Sequence, residues 1–191
     1  MNSRMSLAVA CFALRVMLIP VTAAAQRPQE SRPDLGAPGE EHRRLDVLTG
    51  TWNVAVSFPV APGRNAQGNA ICEAQWDLDG RFVRQEYQST FGGKQLTIVR
   101  YVGFDRQKAR FVEIQFESTH TDVMYNEGVY SPDTGTITTT GRHVDAATGQ
   151  SVTVRSVTTF VDQDAFTVQL FYADAEGRVA KTITLTHTRS R

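Results

Sequence analysis

The stretch His42-Arg43-Arg44-Leu45-Asp46-Val47-Leu48-Thr49-Gly50-Thr51-Trp52-Asn53-Val54-Ala55-Val56-Ser57-Phe58 is where the chain changes period. Before Gly50 the apolar residues Leu45 and Leu48 recur at helical spacing. The acidic pair Glu40-Glu41 suits a helix N-terminus, where the backbone dipole favours negative charge, and Gly50 suits the end. A short helix from Glu40 to Leu48 is expected. From Trp52 the period becomes two: Trp52, Val54, Val56 and Phe58 alternate with Asn53, Ala55 and Ser57, which is the pattern of a strand with one buried face.

Everything downstream keeps the second period. Further strands are expected at 70–78, 81–91, 95–104, 110–118, 122–130, 135–143, 151–162, 165–174 and 179–189. Turn formers separate them: Asp79-Gly80, Gly92-Gly93, Asp105-Arg106-Gln107, Pro132-Asp133-Thr134-Gly135, Gly149 and Glu176-Gly177. Parallel pairing would need crossover helices, for which there is no room. About ten strands in a meander leave two bare edges unless the last pairs with the first. The expected fold is therefore all-β, a single closed antiparallel up-and-down barrel with a short N-terminal helix. A two-sheet sandwich is the alternative. On the last strand Thr182, Thr184, Thr186 and Thr188 alternate with Ile183 and Leu185, which places the threonines outside and the apolar residues inside.

Upstream, the first 25 residues read differently. Arg4 precedes an apolar run from Leu7 to Val21, interrupted by Arg15, and Ala23-Ala24-Ala25 supplies the small residues of a cleavage site. That is the order of a secretory signal peptide, so residues 1–25 are expected to be removed and the protein to be periplasmic or secreted. Residues 26–39, rich in Pro, Gly and polar side chains, are expected to be a flexible linker, with the barrel domain at 40–191. Cleavage leaves Cys72 as the lone cysteine, hence no internal disulfide.

The chain has 191 residues with 41% apolar and 21% charged, and 20 basic against 20 acidic side chains. That balance describes one globular domain rather than a disordered chain. Without a basic excess it offers nothing to neutralise phosphates, so nucleic acid is not an expected partner.

The helix leading into Gly50-x-Trp52 resembles the opening of calycin-type (lipocalin-like) barrels. More closely it is similar to the bacterial domain-of-unknown-function family 1579, whose members begin His-x-x-Leu-x-x-Leu-x-Gly-x-Trp. Asp79-Gly80-Arg81, Gly103-Phe104-Asp105, Gly128-x-Tyr130, Asp174-x-x-Gly177 and Arg189 follow in matching order, so the resemblance spans residues 42–189. It implies a fold and no catalytic residues. It also implies a structural closure in which Gly50 ends the helix, Trp52 plugs one end of the barrel and Arg189 covers the tryptophan by a cation–π contact.

Candidate chemistry is thin. There is no nucleophile motif and no phosphate-cradling loop before a helix. His120-x-Asp122 offers two ligands and no third, so no metal site is expected. His42 is expected to hydrogen-bond across the barrel floor, and His143 to lie at the surface near a turn. Arg84, Glu86, Arg100 and Glu113 lie in strand interiors and are expected to face water. Trp76, Tyr87, Tyr101, Tyr125, Tyr130 and Tyr172 are the candidates for lining a ligand pocket, because such rings combine apolar area with one hydrogen-bonding group. His187 shares the inward parity of Ile183 and Leu185. Resemblance to haem-binding calycins of the nitrobindin type implies haem ligation through it as one reading. The other is a histidine satisfied by a neighbouring Glu or Tyr. No other cofactor is expected. The function expected first is binding of a small, largely apolar ligand in the lumen; an enzyme acting on a small molecule in the same cavity is the alternative.

Overall fold

The computed structural model describes residues 34–191 except 62, 146 and 147. The expected signal peptide and residues 26–33 lie outside the described residues. Residues 34–39 are a turn held from two sides, Arg81 Nε donating to the Gly36 carbonyl at 3.0 Å and Arg106 Nη1 to that of Ala37 at 3.1 Å.

The helical segment is broken in two. α1 covers Glu40–Arg43, and a single 3-10 turn follows at Asp46–Leu48. Both serve to bury three side chains, His42, Leu45 and Leu48. The His42 ring accepts a hydrogen bond from the Gly39 N–H at 3.0 Å and meets the Phe104 ring edge-on.

Ten strands follow among the described residues: β1 Gly50–Ala61, β2 Arg64–Asp77, β3 Phe82–Phe91, β4 Lys94–Asp105, β5 Arg110–Glu117, β6 Met124–Ser131, β7 Thr136–Val144, β8 Ser151–Phe160, β9 Ala165–Ala173 and β10 Val179–Arg189. Each pairs antiparallel with its sequence neighbours, and β1 pairs with β10, so the sheet is a closed barrel. The closing register aligns Trp52 with Arg189, Val54 with His187 and Val56 with Leu185. Closure removes both bare edges that a ten-stranded meander would expose.

The first hairpin runs beyond its expected strands at 52–58 and 70–78. Pro59, which cannot donate to a ladder, lies where the register shifts between Pro59 and Ala61. A proline is tolerated in a strand at such an irregularity.

Parity sorts the wall. Val54, Cys72, Val83, Val102, Ile137, Val154, Phe166 and Val168 face in and are buried. Thr186 and Thr188 face out and are exposed. The antiparallel order gives the barrel two unlike ends. One carries α1, the 3-10 turn and the β2–β3, β4–β5, β6–β7 and β8–β9 turns. There Trp52 is fully buried, its Nε1–H donating to the Leu48 carbonyl at 3.0 Å. The Arg189 guanidinium carbon sits 4.2 Å from the Trp52 ring centroid, while Nη1 donates to the Thr49 carbonyl at 3.0 Å. The other end is open and is framed by the remaining turns.

The lumen and its open end as candidate functional site

Six consecutive strands turn buried polar side chains inward: Gln85 on β3, Arg100 on β4, Glu113 on β5, Asn126 on β6, Thr139 on β7, and Ser156 and Thr158 on β8. Register makes several of them direct neighbours, Gln85 beside Arg100, Glu113 beside Asn126 and Thr139 beside Ser156. Arg100 and Glu113 were expected to face water; instead they are 4% and 1% exposed and form an ion pair at 2.6 Å. Alternation decides this: Val102 belongs to the apolar wall, so Arg100, two residues away, must share its face. Arg84 and Glu86 do lie outside, paired with each other at 2.6 Å.

The belt is incompletely satisfied. Arg100 Nη1 donates to Gln85 Oε1 at 3.1 Å. The Arg100–Glu113 contact, although close, falls outside hydrogen-bond angles, and Gln85 Nε2, Asn126 Nδ2, Thr139 Oγ1 and Ser156 Oγ have no protein partner. Burial alone would lower the Arg100 pKa. The Glu113 carboxylate and the Tyr87 hydroxyl more than offset this and hold it above the ordinary value. Leaving a buried polar atom unpaired costs about 1–3 kcal/mol, so a belt of them in a native fold needs a reason beyond stability.

Deeper in, Tyr87 Oη and His187 Nε2 are 3.1 Å apart. The His187 ring stacks on Phe166 at 3.9 Å and meets Trp52 edge-on. Burial first, and the nearby Arg100 charge second, push the His187 pKa down to about 3. Haem does not fit this histidine. Nε2 is engaged by Tyr87, Phe166 covers one ring face, and the residue is 0% exposed, so no side is open to a macrocycle. Cys72, also fully buried, has its thiol pKa raised to about 12, chiefly by burial.

Above the belt the open end holds a cavity of about 240 Å³, bounded by inward residues of β5 to β10. Its throat is lined mainly by Met124, Val152, Val154 and Ile183, with the polar Gln115 beside Met124, and its rim carries Glu117, His120, Asp122, Asp145 and Lys181. His143, expected at the surface, lines this cavity and shares a hydrogen bond with Asn126 Oδ1 at 2.9 Å. Burial lowers its pKa, against an opposing pull from Asp122. The Asn126 carbonyl oxygen can only accept, so His143 Nε2 donates, and the Asn126 amide nitrogen is left without a partner. His120 and Asp122 both reach the rim, yet among the described residues no three ligating side chains converge on a metal position.

The expected pocket residues scatter. Tyr172 lines the cavity, while Tyr87 and His187 lie in the closed lumen below it. Trp76 and Tyr130 face inward at the plugged end, where Trp76 Nε1 donates to Asp46 at 2.9 Å and Arg44 covers the Tyr130 ring. Tyr101 and Tyr125 are on the outer face, because their neighbours Arg100 and Asn126 take the inward positions. Tyr101 hydrogen-bonds Asp77, and Tyr125, 40% exposed, meets Lys108 and Glu127. A larger outer concavity of about 850 Å³ over β10, β1, β2 and β3 is lined by residues such as Asn53, Asn69, Gln88 and Thr186 and contains no ionisable side chain.

No curated protein matches the chain. Among solved structures, one described as EF1p2_mFAP2b bound to DFHBI is 13% identical, covers 78% of this chain and 98% of its own, and has a TM-score of 0.42. A protein of unknown function from the DUF3598 family of Nostoc punctiforme PCC 73102 is also 13% identical, with a TM-score of 0.43 over 76% of this chain; the match spans 48% of that protein, about half its length. The family model described as "Protein of unknown function (DUF1579)" matches residues 37–189, the helix, all ten strands and the closing arginine. The chain belongs to the DUF1579 family.

Proposed function

We propose that this protein is an exported binder of a small molecule, which it takes up at the open end of the barrel. One observation carries the reading: a concavity of about 240 Å³ with a mainly apolar throat and an ionisable rim, built from the inward faces of six strands. Ligand pockets commonly run to about 300–1,000 Å³, so the occupant is compact. The polar belt beneath the throat changes the ligand from largely apolar to amphipathic. Export rests on the N-terminal sequence order of basic residue, apolar run and Ala-rich site.

Methyl NMR tests the reading. Titration with 1-hexanol should shift the Val152, Val154 and Ile183 methyls saturably, with affinity rising by about 0.8 kcal/mol per added methylene along the alcohol series. Val154→Trp should fill the throat and abolish the shifts. Shifts that do not saturate, or that survive Val154→Trp, exclude this cavity.

A further inference from the structure

We infer that the ligand taken up at the open end is a small organic ammonium compound, its apolar body in the throat and its cationic head at the rim between Tyr172 and the carboxylates. This rests on the binding reading above and adds the charge class of the ligand.

The rim is electrically lopsided. Glu117, Asp122 and Asp145 face the cavity, against one permanent cation, Lys181. Glu117 is engaged by His120 and by Thr119, whose hydroxyl donates at 2.6 Å. The rim's ion pairs among the described residues are His120 with Glu117 and Lys181 with Asp145, leaving Asp122 outside both. The field of these groups is felt at Tyr172: burial first, then Glu117, Asp145 and Asp122, push its hydroxyl up to about 12. Burial lowers the pKa of a second cavity-lining histidine, His143, against the pull of Asp122.

Independently of the acids, the chain already shows where an ammonium group sits. Lys181 Nζ lies 4.0 Å from the Tyr172 ring centroid and 3.9 Å from Asp145 Oδ2. Aromatic face plus carboxylate is the chemistry that recognises ammonium ligands, and it strengthens as the site is desolvated. Lys181 enters from the rim, at the start of β10, with its side chain 37% exposed, so its head can leave for solvent when another cation arrives. It acts as a tethered surrogate for the ligand. The throat below, Met124, Val152, Val154 and Ile183, is the length of wall against which an alkyl or aryl body would lie. An anion of the same shape would meet three carboxylates and one lysine; a neutral analogue would gain the throat alone.

Matched six-carbon probes separate the outcomes. Hexylammonium, 1-hexanol and hexanoate are titrated in turn, with the Val152, Val154 and Ile183 methyls as the readout. Hexylammonium should bind at least tenfold more tightly than hexanol, hexanoate more weakly than hexanol, and only the ammonium affinity should fall steeply with salt. Asp122→Asn should weaken hexylammonium several-fold more than it weakens hexanol, and retained hexanol binding shows that the variant is folded. Lys181→Gln should tighten hexylammonium several-fold by clearing the Tyr172 face. Equal affinities for the three probes overturn the charge assignment while leaving the cavity reading intact. Failure of all three to bind removes both. Tighter hexanoate binding, lost in Lys181→Gln, would mean that Lys181 recruits an anion and would overturn the inference.

Discussion

Removing the Glu113 carboxylate would leave the Arg100 guanidinium charged inside a barrel wall that is closed to water. Breaking a buried ion pair from one side costs about 3–5 kcal/mol, whereas replacing both partners with well-fitted apolar groups is often neutral. Glu113→Ala should lower stability by about that amount in urea unfolding, and Arg100→Met combined with Glu113→Leu should recover most of it. If the double variant is as damaged as the single one, the pair is holding the belt in place through Gln85 and not merely balancing a charge. His187 gives the residue scale a pH signature. Its folded pKa is about 3 against an ordinary 6.5. Below pH 6.5 the unfolded chain takes up a proton that the folded one refuses, so unfolding is favoured as pH falls. The loss from this group is about 1.4 kcal/mol per pH unit until the pH nears the folded value. His187→Leu should flatten the acid limb of the stability profile between pH 6 and 4 relative to the parent, measured by denaturant midpoint at each pH. An unchanged slope would show that the ring is protonated in the folded protein.

At the scale of elements, β6 and β7 leave no room for a side chain at two glycines. A methyl group on Gly128 would stand 1.8 Å from the Thr138 carbonyl oxygen, and one on Gly141 would stand 2.0 Å from that of Tyr125. On β2, by contrast, the same addition at Gly68 would meet only a Phe58 ring carbon at an ordinary 3.6 Å. Gly141→Ala should therefore destabilise by more than about 3 kcal/mol. Gly68→Ala should fall within about 1 kcal/mol of the parent, with any gain reflecting a stiffer unfolded chain. Thermal melts of the two variants read this directly. These glycines also show why elements were easier to read than the site. Alternation along Trp52–Phe58 and Thr182–Thr188 declares a strand by itself, because period two is a local property. Which face of β4 goes in is also local in principle, since Val102 and Arg100 share a parity. The charge on Arg100 argued for water, and the tyrosine next to it argued for the lumen. Both arguments weigh one residue at a time, whereas the sheet turns a whole strand together. Pairing Arg100 with Glu113 needs two strands in register, and that information lies outside either segment. His143 stayed hidden for the same reason: its partner Asn126 is 17 positions away.

For the whole molecule, one seam decides closure. Every pairing except β1 with β10 joins sequence neighbours, and Arg189 ties that seam by reaching Thr49, 140 positions distant. It also stacks on Trp52 and meets Asp164 at 2.9 Å. Arg189→Ala should accelerate amide hydrogen exchange in β1 and β10 first, with β4 to β7 unaffected, and cost about 0.5–2 kcal/mol from the cation–π contact. Uniform acceleration would mean that the barrel opens only as a unit. The overall fold was legible because a meander of about ten strands has little choice but to curl. The matching of Gly50-x-Trp52 to a terminal arginine supplied the closing contact in advance. The ionisable rim was not legible, because it is assembled from two separate turns and two strand ends that converge only once the cylinder exists.

The plugged end also brings the two limits of the sheet together. The Ser190 N–H donates to the Thr51 carbonyl at 2.8 Å, so the start of β1 and the finish of β10 are already neighbours. The order in which the ten strands are synthesised is thus nearly arbitrary with respect to the finished cylinder. A chain rewritten to begin at β4 and end at β3, with a short linker joining β10 to the α1 segment, would present the same wall and the same throat. New ends placed in the Gly92-Gly93 turn would fall at the open end, clear of the cavity residues on β5 to β10. Cyclic rearrangement of this kind is tolerated where the joined ends can be bridged and cuts fall in exposed turns; here the linker has to run from the end of β10 back to Glu40, past the seam where Ser190 meets Thr51.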